Sequence, residues 1–198
     1  MTLTENSCIK RRQPMNDTSS TPDIKFSLTP VGYVENTINK ITFSPHGKDT
    51  PEERQRQVKK HREETRNTIT TLSLLPQFEE LLDGIEDFSH IVVIYWPHKL
   101  SQEDRQIKKV HPMGRKDIPL KGIFSTRSPA RPNPLLISTV RLLERDKNQL
   151  KVQGLEALNG SPIMDIKPTT THFDGGENQT FPDWIQELNQ DMKDKETE

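Results

Sequence analysis

The sequence predicts a mainly β protein, a small antiparallel barrel with a few peripheral helices. Three observations carry that expectation. Segments with strand-like alternation are short and closely spaced, with few helices between them, which suits an antiparallel barrel better than a doubly wound sheet. No two glycines stand as GxG, so neither a dinucleotide fingerprint nor a P-loop is present. The longest apolar run, residues 91–96, has the length of a strand and is far too short to span a bilayer.

Residues 1–24 are polar, rich in Ser, Thr and Asn, and have no apolar period to anchor them, so a disordered tail is expected there. The cluster Lys10, Arg11, Arg12 within it reads as solvated, with phosphate contact as the alternative. Residues 25–173 form the expected barrel domain. Its first strand is read from residue 26 (FSLTPVGYV), and Gly32 inside it marks a bulge or the close approach of another backbone. A loop with Ser44, Pro45, His46 and Gly47 follows.

Thr50 before Pro51, with Glu53 next in the pattern, is a helix start: a cap, a proline at the first helical position and a capping-box glutamate. In the helix predicted over 51–67 only Val58 is apolar, so it has no face to bury. The pairs Lys59 with Glu63 and Lys60 with Glu64 give it local support. It reads as a solvated helix, with a flap over a ligand or an RNA-contacting arm as alternatives.

A strand over 69–75 leads to a short helix over 76–82 with Phe78, Leu81 and Leu82 on one face, ended by Gly84. The block DFSHIVVIYWPHKL reads as a central strand buried on both faces, and His90 and His98 at its ends read first as structural hydrogen-bonding groups. Strands over 137–143 and 150–155, joined by the polar turn ERDKNQ, and a third over 162–166 after Asn159 and Gly160, complete the set. In residues 174–198 acidic side chains outnumber basic ones, with Phe181 and Trp184 as the large apolar anchors, and the segment is expected to be an acidic, loosely held tail.

Among 198 residues, 28 Lys and Arg oppose 29 Asp and Glu, and mean hydropathy is −0.83. The whole chain therefore offers no electrostatic case for nucleic acid, but one window does. Residues 105–141 hold nine basic side chains against Asp117 alone, a local charge of +8. Cys8 is the only cysteine, so no internal disulfide or cysteine metal cluster is expected, and neither HExxH nor GxSxG occurs. With no apolar signal core, a soluble cytoplasmic protein without metal or membrane association is expected.

The basic window surrounds GIFSTRSPARPNP, residues 122–134. Its prolines fix φ, remove donors and push preceding residues toward extended geometry, so the segment should be a stiff loop. Arg127 and Arg131 would be held in place there, with Ser128 and Asn133 beside them, which suits an anionic ligand.

The blocks GIEDFSHIVVIYWPHK, GIFSTRSPARPNPLLIS and GLEALNGSPIMDIKP, in that order, resemble the TrmO/YaeB family of tRNA methyltransferases in its short form. The resemblance implies a small non-Rossmann β-barrel, usually a homodimer, that binds S-adenosylmethionine. It further implies N6-methylation of threonylcarbamoyladenosine beside the tRNA anticodon, with the basic window as the tRNA contact. By motif, the cofactor-binding positions fall on His98, Lys99, Arg127, Ile137, Gln153, Gly154, Leu155 and Glu156. Asp165 and Lys167, in DIKP, fall where the acceptor amine would be polarised and the nucleotide oriented, and are the catalytic candidates. Ser128, Arg131 and Asn133 are assigned to the shape of the loop.

The chain departs from the family pattern at four places. Leu135 and Leu136 replace Ile-Gly, Thr169 replaces a tyrosine, and Lys99 and Glu156 replace Gln and Asp. These departures keep open the same cofactor site acting on a small-molecule acceptor, and the near-zero total charge and mobile-looking arms keep open a non-catalytic cofactor- or RNA-binding module.

Overall fold

Proline and glycine decide where the first strand begins and how closely it packs. The computed structural model describes residues 27–40, 50–170, 174 and 180–193; the tail read over 1–24 and the loop read at Ser44, Pro45, His46 and Gly47 lie outside these. Its strands are β1 (Gly32–Glu35), β2 (Ile69–Leu74), β3 (His90–Tyr95), β4 (Lys109–Val110), β5 (Lys121–Gly122), β6 (Leu136–Asp146), β7 (Gln149–Gln153) and β8 (Pro162–Pro168). The helices are α1 (Pro51–Asn67) and α2 (Asp183–Lys193).

Strand β1 starts later than the expected residue 26, because Pro30 has no N–H to give a ladder and pairing begins beyond it. A Cβ on Gly32 would lie 2.8 Å from the Leu74 Cα and closer still to the Ser73 carbonyl oxygen, so the expected close approach of a second backbone is present. Those neighbours are main chain and cannot swing aside. Gly32→Ala is therefore expected to lower the unfolding free energy by about 2 kcal/mol. Urea unfolding of the variant beside the parent measures this, and coincident midpoints would contradict it.

As the sequence predicted, the fold is a closed antiparallel barrel, in the order β1-β2-β7-β6-β3-β8. Its interior is filled by Val34, Leu72, Ile91, Val93, Leu150 and Val152, each at most 1% exposed. Strand β3 is central, paired with β6 and β8, but it alternates: Ile91, Val93 and Tyr95 point inward and are buried, while Val92 and Ile94 are half-buried outside. The expectation of burial on both faces fails because an antiparallel barrel has only one inside.

Two irregularities bend the wall. Between β3 and β8, Tyr95 pairs with Ile163 and Ile94 with Asp165, which leaves Met164 as an extra residue. In a regular strand Ile163 and Asp165 would share a face; the bulge lets Ile163 enter the core while Asp165 stays on the outer wall. A second shift leaves Leu143 extra between β6 and β7. Strand β6 also runs on to Asp146, so the predicted ERDKNQ turn tightens to Lys147 and Asn148, with Lys147 at φ 53°.

Helix α1 carries the predicted capping box: Glu53 N–H donates to Thr50 Oγ1 (3.2 Å) and Thr50 N–H to Glu53 Oε2 (2.8 Å). Its Lys60–Glu64 pair spans 3.9 Å in the open. Thr65, buried near its end, is the contact that a count of apolar residues missed. The predicted helix over 76–82 is a 3-10 helix, Pro76–Leu82. With three residues per turn, Leu81 and Leu82 cannot share a face, and indeed Leu81 is 77% exposed and Leu82 buried. Residues of α2 correct the reading of the C-terminal anchors: Leu188 is buried, whereas Phe181 is 51% exposed. Trp184 lies one turn before Leu188, and the Lys121 ammonium sits 5.5 Å from its ring centre.

Among the described residues no helix is long and apolar enough to cross a membrane, and no cluster of three or more His, Cys, Asp or Glu is arranged to hold a metal ion.

Candidate functional site

Because neighbouring strands alternate in direction around the closed barrel, β1, β3 and β7 end at the same rim where β2, β6 and β8 begin. That topology brings sequence-distant segments together. Beyond β3, Trp96 N–H donates to the Pro162 carbonyl (2.9 Å), and the His98 Nδ1 lies 3.3 Å from the Ser161 hydroxyl, just before β8. Shielding of the imidazole, with the Lys99 charge beside it, holds its pKa below the usual histidine value. Lys99 donates to the Asn39 carbonyl (2.8 Å), so its ammonium is turned toward the segment after β1.

The predicted loop reaches the same rim. Arg127 is exposed, and its Nη2 donates to the Ile137 carbonyl (2.9 Å) at the start of β6. Arg131 is turned into the loop itself, with Nε on the Ser128 carbonyl (2.8 Å) and Nη2 on the Thr126 carbonyl (2.7 Å). The Ser128 hydroxyl accepts from Ala130 N–H (3.3 Å), and the Asn133 carbonyl accepts from Leu135 N–H (2.8 Å). Pro134 is fully buried beneath them.

Beyond β7, Gln153 pairs with Ile69 and Arg141, and Gly154 turns at φ 91° with its N–H on the Thr68 carbonyl (3.2 Å). A residue other than glycine is strained at that φ. The turn sends Leu155 into the core, completely buried, and leaves Glu156 exposed. Asn36 ties the segment down, donating to the Ala157 carbonyl (2.9 Å) and accepting from Ile38 N–H (2.9 Å).

Tyr95 is the residue the sequence reading passed over. It fills the interior at the end of β3, with its hydroxyl 3.4 Å from that of Ser138. Burial raises its pKa, opposed by the Ser138 hydrogen bond; Glu156 raises it further and Arg127 lowers it. Glu156 and Arg127 thus both act on one phenol, although they stand 29 positions apart in the chain. A tyrosine closing an otherwise aliphatic strand was the available signal.

Asp165 and Lys167 lie on the outer wall of the barrel, three and five residues into β8 from the rim. Asp165 is opposite Ile94, and Ile94 is opposite Ile137, so Asp165 and Ile137 flank one strand. Its Oδ1 accepts from Ile166 N–H (2.9 Å), and its Oδ2 pairs with the Lys167 ammonium at 2.5 Å. Thr169, at the end of β8, donates its hydroxyl to the His90 carbonyl (2.8 Å).

With its strands closed into an antiparallel barrel and polar groups gathered at one rim, the molecule is in class a small antiparallel β-barrel domain. The chain belongs to the family of tRNA-methyltransferase O N-terminal domains, TrmO_N, whose model matches residues 47–175. It is 36% identical over 147 residues to a probable S-adenosyl-L-methionine-binding protein of Methanothermobacter thermautotrophicus, covering 74% of this chain and 91% of that protein. A protein of the same description from Archaeoglobus fulgidus is 38% identical over 122 residues, 62% of this chain but only 32% of the relative. Among solved structures, TrmO from Pseudomonas aeruginosa superposes with a TM-score of 0.55 at 26% identity, covering 79% of this chain and 62% of that one. The chain thus spans about a third of the Archaeoglobus relative and under two thirds of the solved enzyme.

Proposed function

We propose that the barrel binds S-adenosylmethionine at its rim and transfers the methyl group to tRNA, at N6 of threonylcarbamoyladenosine next to the anticodon. The observation that carries this reading is the convergence of the motif-derived binding positions from three chain segments on one rim, in a chain of the TrmO_N family. The donor set fits the cofactor. Arg127 presents a guanidinium edge for a carboxylate, exposed Glu156 accepts from ribose hydroxyls, and main-chain groups of Gln153 to Leu155 other than the Gly154 N–H, which Thr68 holds, read an adenine edge. Shielding and the Lys99 charge hold His98 toward its neutral form, which suits a neighbour of a sulfonium.

The bound cofactor supplies an activated methyl electrophile. The protein's own part is to hold the acceptor amine in line and to accept the proton it loses. An adenine amine is a weak nucleophile because its lone pair is delocalised. In this reading the Asp165 carboxylate accepts from its N–H and localises that pair, while Lys167 orients the carboxylate and the nucleotide. A homodimer in the cytoplasm belongs to the same reading.

Mass spectrometry of nucleosides from tRNA incubated with the protein and S-adenosylmethionine tests it. A gain of one methyl on threonylcarbamoyladenosine is expected, and its absence refutes the acceptor. Leu136 packs against the core where the family pattern has glycine, which favours a small-molecule acceptor as the second reading. Methyl transfer to a metabolite extract but not to tRNA would select it.

A further inference from the structure

The arginine loop opens on a 3-10 turn, Ile123–Ser125, whose middle residue Phe124 is 80% exposed. The backbone beneath the ring is held in place. Ile123 is buried, its N–H donates to the Lys108 carbonyl (3.0 Å), and its own carbonyl accepts from Thr126 N–H (3.2 Å) and Oγ1 (2.9 Å). At 80% exposure the ring buries little area and so contributes little to the fold.

Its surroundings are cationic. Strands β4 and β5 pair Lys109 with Gly122 and Val110 with Lys121, which sets Lys108 and Lys109, both exposed, beside the turn. Arg127 follows three positions later. Asp117, the only acidic residue between 105 and 141, is engaged by the Arg115 guanidinium. An exposed aromatic ring on a turn flanked by cationic residues offers what an unpaired nucleotide uses: the base stacks on the ring and the flanking phosphates meet the charges. A duplex offers no free base face, so this surface selects single-stranded RNA.

We propose that Phe124 is a base-stacking platform for an unpaired RNA nucleotide, with Lys108 and Lys109 on the adjoining phosphates. The proposal rests on the tRNA reading above and names the side chain that holds a base near the loop carrying Arg127. The test is binding of a labelled RNA hairpin with an open loop, with a blunt duplex of the same length as control, at several salt concentrations.

Phe124→Ala and Phe124→Leu are expected to weaken hairpin binding about tenfold, and Phe124→Tyr to remain within about twofold of the parent. The slope of log affinity on log salt should stay the same in all of them, because the ring neutralises no phosphate. Duplex binding and S-adenosylmethionine affinity should not change. Hairpin binding by Phe124→Leu equal to the parent's overturns the proposal. So does dissociation of a dimer by Phe124→Ala at unchanged RNA affinity, which would mean that a second copy covers the ring. Either result leaves the tRNA reading standing if the parent still methylates tRNA. A parent that binds the cofactor but neither hairpin nor tRNA overturns both.

Discussion

Arg127→Ala is expected to weaken S-adenosylmethionine binding by about tenfold to a hundredfold, since a charge-assisted hydrogen bond contributes roughly 1.5–3 kcal/mol. The geometry makes this a clean test. Arg127 spends one N–H on the Ile137 carbonyl, while the shape of the loop is held by Arg131 on the Ser128 and Thr126 carbonyls and by buried Pro134. Truncating Arg127 should therefore leave the thermal unfolding midpoint nearly unchanged. Arg127→Lys should fall between variant and parent, because lysine keeps the charge but loses the planar fork. Calorimetric titration with the cofactor gives the readout. A dissociation constant equal to the parent's in the alanine variant would remove Arg127 from the binding site.

How much of this was legible in the sequence varies with the kind of physics involved. The barrel followed from short strands and absent glycine motifs, and the α1 cap from Thr50, Pro51 and Glu53, because these are local properties of adjacent residues. The close approach at Gly32 was also legible, since only glycine tolerates it. What could not be read depends on registration between distant strands. The extra residue Met164, which turns Asp165 outward, exists only in the pairing of β8 with β3. The meeting of Tyr95 with Ser138, and the influence of the Arg127 and Glu156 charges on that phenol, are likewise products of closure, and no spacing encodes them. Strands β4 and β5, two residues each, were missed because so short a pair leaves no alternation to detect. Family motifs supplied positions for the site, and the rim topology supplies a physical reason for most of them to be neighbours.

Asp165→Asn is expected to lower kcat by about a hundredfold or more while leaving cofactor affinity unchanged, as loss of a general base does. Asparagine preserves the shape and still accepts from Ile166 N–H. It gives up the ion pair with Lys167, but that pair is half-exposed on the outer wall, and such pairs add little to stability. Fold and cofactor binding should therefore survive, and the loss should fall on turnover alone. Two further readouts separate a proton acceptor from half of a structural pair. In Asp165→Asn the loss should persist at saturating cofactor and tRNA, where a binding defect would be masked. Lys167→Met should lose less turnover than Asp165→Asn, because the carboxylate remains to accept the proton. If both variants turn over at the parental rate, Asp165 and Lys167 only join a strand end, and the acceptor amine must be polarised from the rim side, where Tyr95 and Glu156 lie.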